Sequence, residues 1–279
     1  MKVSASCRQC LAQLVCQATE SATDDLELRA KAMQEGLKAL DKGFLPHRVA
    51  TDLASEIHRL IRRLTGNPDP YRQMKDREIK VSEGWFKEVR LYYGEDFRSG
   101  VKLSALGNTI DFFKNPDKMS EEMKKPIEFT IDHIDKLEKK LRNAKSVLYL
   151  ADNAGECFFD LPLVRKMREF SQVIYVVKGS PVQDDITLED LSRAGLAKEI
   201  GEIITTGADT VGIDFSLASE EFKIQFEQAD LVFAKGMGNY ETLSELNTHG
   251  KIAYCLMAKC QPIANSLRVP LNSYVIMLQ

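Results

Sequence analysis

The sequence has no run of 18 apolar residues, and no apolar core follows its opening MKVSASCRQC. Neither a membrane-spanning helix nor a secretory leader is expected, so the chain reads as a soluble cytoplasmic protein without membrane partners. Cysteine is sparse, at 6 in 279 residues, far below the density of a disulfide scaffold. Proline (9) and glycine (16) are too few for a collagen-like or low-complexity chain, and 44% hydrophobic against 28% charged residues excludes a mostly disordered one. Basic charge shows no surplus: 38 Lys and Arg stand against 41 Asp and Glu, a net charge of −3. Nucleic-acid binding usually leaves a basic surplus or a dense basic stripe, and is not expected here.

Three signatures of common chemistry are also missing. There is no GxGxxG dinucleotide fingerprint, no GxxxxGKS/T phosphate loop and no HExxH zinc motif. Histidine is scarce, and His47, His58, His133 and His249 are scattered, which fits surface or packed residues better than a catalytic set. Cys7 and Cys10 form a lone CxxC. A zinc site there needs two more soft ligands, and Cys157, Cys255 and Cys260 are remote in sequence. Thiols without a metal, a redox or structural pair, and a metal site all stay open.

What is present changes character near residue 145. Before it, Leu26, Leu28, Met33, Leu37 and Leu40 recur near helical spacing with Gly43 as a stop. Val49, Leu53, Ile57 and Leu60 do the same, with Pro46 suited to a first turn and Gly66 to an end. Further helices are expected around Trp85, over 103–112 and over 121–144, and Trp85, Phe86, Tyr92 and Tyr93 read as packing residues. From 146 onward short apolar runs (SVLYLAD, QVIYVVKG, EIITTG, DLVFAKG, KIAYCLMAK, NSYVIML) are bounded by Gly, Asp or Asn, and helix-like intervals lie between several of them. The expected architecture is a helical domain, 1–145, packed on a three-layer α/β/α domain, 146–279, with a mainly parallel, Rossmann-like sheet. The first segment carries a net +4 and the second a net −7. An acidic α/β half that binds an anionic substrate needs a cation to do so.

Ligands of open α/β sheets bind beyond the carboxyl ends of strands. Three such ends are polar here: Asp152, Asn153 and Glu156 after VLYL; Asp184 and Asp185 after VIYVVKG; Lys235, Gly236 and Asn239 after DLVFA. Asp152, Asn153 and Asp185 offer hard oxygen ligands to a divalent cation. The alternative for Asp152 and Asn153 is to cap the following helix. Lys235, entering GMG, offers a point charge to phosphate, or merely reaches solvent past its strand end.

These motifs carry a resemblance. DNAGE at 152–156 continued by Asp160, PVQDDITLED at 181–190 and KGMGNYETL at 235–243 resemble the DUF89 family of damage-control phosphatases, the ARMT1-like proteins. CRQC at 7–10, DPYRQMK at 69–75 and LGNTIDF at 106–112 are similar as well, so the resemblance spans nearly the whole chain. It implies metal-dependent hydrolysis of small phosphorylated metabolites, sugar phosphates or phosphopantetheine-type compounds, with one divalent ion (Mn, Co, Ni or Mg). Metal ligation falls on Asp152, Asn153 and Asp185, phosphate contact on Lys235, and pocket contacts on Gly236, Asn239, Asn108 and Asp111. Asp184 stands where the family usually has Asn, and Met237 where Gln is common. The expected mechanism is attack by an activated water, which Glu156 or Asp184 orients, with an aspartyl phosphate as the mechanistic alternative. Two other readings are a carboxyl methyltransferase, for which no glycine-rich fingerprint is present, and a non-enzymatic binding protein.

Overall fold

The computed structural model describes residues 1–110, 123–248 and 250–279, so Asp111 and His249 lie outside the described residues. The chain opens with three helices, α1 (Ala5–Ala22), α2 (Leu26–Gly43) and α3 (Ala50–Thr65). Their apolar stripes close on one another around Val15, Ala18, Leu40, Leu53, Ile57 and Ile61. Asp25 starts α2 by accepting hydrogen bonds from the Glu27 and Leu28 amides. Gly66 ends α3 in the left-handed region, φ 71°, which a side chain would disfavour. Pro46, expected in the first turn of α3, precedes it instead, because the helix begins behind Val49. Helices α4 (Arg72–Val89) and α5 (Phe97–Gly107) follow.

Seven strands form one sheet in the order β1-β7-β6-β5-β2-β3-β4. They are β1 (Phe129–Asp132), β2 (Ser146–Leu150), β3 (Gln172–Val177), β4 (Ile203–Thr205), β5 (Leu231–Lys235), β6 (Ile252–Met257) and β7 (Tyr274–Leu278). All neighbours are parallel except β6 and β7. The intervening helices are α6 (Ile134–Leu141), α7 (Cys157–Arg168), α8 (Leu188–Arg193), α9 (Ala197–Ile200), α10 (Glu220–Gln228), α11 (Gly236–Leu243) and α12 (Gln261–Leu267). The pleat of β2 sends Val147 and Tyr149 into one core with Leu137, Phe159 and Val164. It sends Leu148 and Leu150 into another with Phe222, Leu243 and Ile263. The sheet is therefore covered on both faces, the α/β/α architecture expected from the alternation of elements. Helices α4 and α5 share the first core through Ile79, Phe86, Val101 and Leu106.

One expected element is different. Of the helix expected over 121–144, residues 121 and 122 lie outside the described residues, and 123–144 do not form a single helix; Phe129–Asp132 is an edge strand beside β7, and only Ile134–Leu141 is helical thereafter. Pro126 removes a helical N–H, and the β-branched and aromatic residues of FTID alternate partly buried and exposed, as strand residues do.

The sheet order places the site. Strand β2 lies between β3 and β5, and the chain leaves β2 for β3 and β4 before returning on its other side at β5. This reversal opens a crevice at the carboxyl ends of β2 and β5, where Asp152 and Lys235 stand. Among the described residues, no helix is long and apolar enough to cross a membrane.

Candidate active site

The loops after β2 and β3 are joined edge to edge. Asn153 and Asp185 form an antiparallel bridge, the Ala154 amide donates to the Asp184 carbonyl at 2.8 Å, and the Ile186 amide donates to the Asp152 carbonyl at 2.9 Å. Gln183 turns the second loop with φ 46°. Asp152, Asn153, Asp184 and Asp185 are thereby brought to one cavity wall. Asn153 precedes a single 3-10 turn (Ala154–Glu156) without capping it through its side chain, and α7 likewise lacks a side-chain cap. Helix capping therefore does not account for the pair.

The side chains form a closed set of donors and acceptors. Asn108, just past α5, donates through Nδ2 to Asp152 Oδ2 at 3.0 Å and Glu156 Oε1 at 2.9 Å. Asn153 Nδ2 donates to the same two atoms, at 3.1 and 2.8 Å. The Met257 amide, at the end of β6, donates to Asn108 Oδ1 at 3.0 Å and so fixes which way that amide faces. Asp185 pairs with Lys178 at 3.2 Å. Burial, with Glu156 and Asp185 close by, holds the Asp152 carboxyl well above the usual carboxylate range, and Lys259 offsets part of this. Burial also raises Asp185 against the pull of Lys178. In Glu156 burial opposes ionisation too, but Lys235 and Lys259 outweigh it and the carboxyl is lowered.

Lys235 does not stand in the cavity wall. Its ammonium is fully buried behind the carboxylates, 2.6 Å from Asp160 Oδ1, 2.7 Å from Glu156 Oε2 and 2.8 Å from the Ser104 carbonyl. The Asp160 carboxylate and the Ser104 carbonyl accept its hydrogen bonds, Glu156 pairs with it as a counter-ion, and it is not among the residues lining the cavity. Asp160 also accepts from Ser104 Oγ at 2.9 Å and Tyr175 OH at 3.0 Å. Gly236 has φ 75°, and a Cβ there would overlap the Asp152 carboxylate. Asn239 is buried and donates to the Lys235 carbonyl at 2.8 Å, clamping the first turn of α11 rather than facing the cavity.

The cavity, about 400 Å³, has a second wall built from the first helices, where Leu11, Leu14 and Ala54 are apolar and Cys7 and Cys10 bring thiols. Those cysteines are far in sequence from the strand ends, and the packing of α1 across the rim brings them in. Cys260, Glu241 and Lys259 line the same space. Burial pushes the Glu241 carboxyl up to about 7. Lys259 carries the signal that singled out Lys235, a charged residue closing a buried apolar strand run, and of the two it is the one that reaches the cavity. His58 is buried in the helical part against Tyr71, with ring centres 5.5 Å apart, as a packed histidine.

This fold is shared. The model of the damage-control phosphatase ARMT1-like domain matches residues 3–275. A protein named as a damage-control phosphatase in Pyrococcus horikoshii is 36% identical over 283 residues, covering 99% of this chain and 98% of its own. Another of that name in Archaeoglobus fulgidus is 33% identical over 284 residues, with coverage of 99% and 98%. The crystal structure of a DUF89 family protein from P. horikoshii superposes with a TM-score of 0.90 at 35% identity, covering 100% of this chain and 99% of that one. The chain belongs to the DUF89, ARMT1-like family of damage-control phosphatases.

Proposed function

We propose that the protein is a divalent-cation-dependent phosphomonoesterase acting on small phosphorylated metabolites. The observation that carries this reading is the joining of the β2 and β3 loops, which sets Asp152, Asn153 and Asp185 on one cavity wall while none of them caps a helix. Among the described residues, no three His, Cys, Asp or Glu side chains stand as a ready metal cage. The set here is two carboxylates and one amide, a hard-oxygen group that suits Mg, Mn, Co or Ni with water filling the remaining positions. Crowding also favours a cation: Glu156 and Asp185 raise the cost of ionising Asp152, Glu156 raises that of the buried Asp185, and Lys259 and Lys178 answer only part of that charge.

A bound divalent ion supplies Lewis acidity to a phosphoryl oxygen and to a water. The chain's own residues do the rest. Asp152, Asn153 and Asp185 hold the cation. Lys259 presents its ammonium to the phosphoryl oxygens, and Asp184 accepts a hydrogen bond from the attacking water and orients it. The apolar wall of Leu11, Leu14 and Ala54 excludes water from the substrate's far end. Phosphate release from a panel of sugar phosphates and phosphopantetheine-type compounds, with the protein first stripped by a chelator and then given each cation, tests the reading. Cation-dependent release from at least one compound is expected. No release from any compound under any cation would support the non-enzymatic alternative.

A further inference from the structure

We infer that Lys235 is a positioning residue, whose buried ammonium holds the Glu156 carboxylate and through it sets the amides of Asn108 and Asn153. The inference rests on the cation reading above for its consequence, but its geometry stands independently. Each asparagine NH2 spends its two hydrogens on the same two atoms, Asp152 Oδ2 and Glu156 Oε1. A carboxylate only accepts, so the edge of each amide facing this pair must be its NH2. For Asn153 this keeps the carbonyl oxygen off those two atoms, so that it can serve a cation.

Glu156 lies at the centre of the arrangement with no exposed surface, and one of its oxygens receives both amides. Its other oxygen is 2.7 Å from Lys235 Nζ, which Asp160 holds from the opposite side at 2.6 Å. A buried carboxylate deprived of its contacting ammonium is strongly unfavourable. Without the Lys235 charge, Glu156 and Asp160 are two buried acids around an uncharged side chain. They move apart, and the amides lose the acceptor that orders them. The Lys235 effect thus reaches the cavity wall through one ion pair and one layer of hydrogen bonds, without the ammonium touching a ligand in the cavity.

The test compares Lys235→Met with Asp160→Asn, which removes charge from the same buried group but leaves the Lys235–Glu156 pair. Two readouts are used. Calorimetric Mn2+ titration reports the cavity wall, and side-chain NH2 signals in nitrogen-15 spectra report Asn108 and Asn153 with no metal present. Lys235→Met should weaken Mn2+ binding roughly tenfold to a hundredfold, the scale for losing an outer partner of a ligand. The two asparagine signals should lose their protection from solvent exchange. Asp160→Asn should keep both signals protected and stay within about threefold of the parent's Mn2+ affinity, well short of that loss. If Lys235→Met does not fold, Glu156→Gln, which keeps the Lys235–Asp160 pair, should show the same loosening of both amides. Protected signals in a folded Lys235→Met protein would overturn the inference, as would equal losses in Asp160→Asn. Failure of the parent protein to bind Mn2+ would instead defeat the cation reading, with the NH2 signals still deciding the role of Lys235.

Discussion

Gly236 lies directly against the carboxylate of Asp152, so close that a Cβ at that position would occupy the space of Asp152 Oδ2. Its φ of 75° is the left-handed conformation that costs a side chain about 1–2 kcal/mol. Two strand ends on either side of the crevice therefore share one space, open only while position 236 has no side chain. Gly236→Ala should lower thermal stability by that backbone cost and displace Asp152, weakening Mn2+ binding at least roughly tenfold. A folded variant with parental Mn2+ affinity would separate Asp152 from the cation site.

Lys259 should matter to turnover more than to folding. It is partly exposed, closes the β6 run and lines the cavity beside Asp152. Lys259→Ala should lose about 2–4 kcal/mol of transition-state stabilisation, roughly 30-fold to 1000-fold in kcat/KM, with little change in melting temperature. Steady-state phosphate release on the purified variant measures this. A kcat/KM within about threefold of the parent would remove Lys259 from the reaction.

The thiols of the cavity wall should be spectators that become obstacles when enlarged. Cys7→Ser/Cys10→Ser is expected to keep most of its turnover, because neither thiol is among the hard-oxygen ligands. Alkylation of the parent with a bulky maleimide should cut turnover at least roughly tenfold by filling a drug-sized cavity, and substrate should slow that loss. A double variant as inactive as Asp152→Asn would place the cysteines in the chemistry.

His58 makes acid stability predictable in sign. Burial, aided by the nearby Arg62 charge, lowers its pKa from the ordinary 6.5 to about 3. The folded protein then binds fewer protons here than the unfolded chain between those values. This contribution is fully present above pH 6.5 and is lost as pH falls toward 3, at up to about 1.4 kcal/mol per pH unit. Urea unfolding of the parent and of His58→Phe should diverge over this window, the variant showing the flatter profile. Parallel profiles would mean that His58 is charged in the folded state.

Much of this was legible in the residues. The apolar runs from 146 onward are six of the seven strands, because a strand buried on both faces has a composition that helices and loops do not share. The proposed cation ligands follow from the rule about strand ends. What escaped depends on packing. FTID was hidden within a charged helical-looking stretch, and its pairing with β7 arises from residues more than a hundred positions away. Lys235 and Lys259 look alike in sequence, both closing apolar strands. Only the placement of Asp160 and Ser104 beneath β5 makes the first a buried counter-ion and leaves the second to the cavity. Cys7 entered the site because α1 crosses the rim, a tertiary contact with no local signal.

The most direct measurement is anomalous scattering from crystals soaked in Mn2+. The cation reading predicts a peak at the joined loops, within about 2.0–2.6 Å of oxygens from Asp152, Asn153 and Asp185, the range of hard-cation bonds. It also predicts that this peak disappears in Asp152→Ala/Asp185→Ala crystals. A peak at Cys7 and Cys10 with none at the carboxylates, or no peak at either, would contradict it.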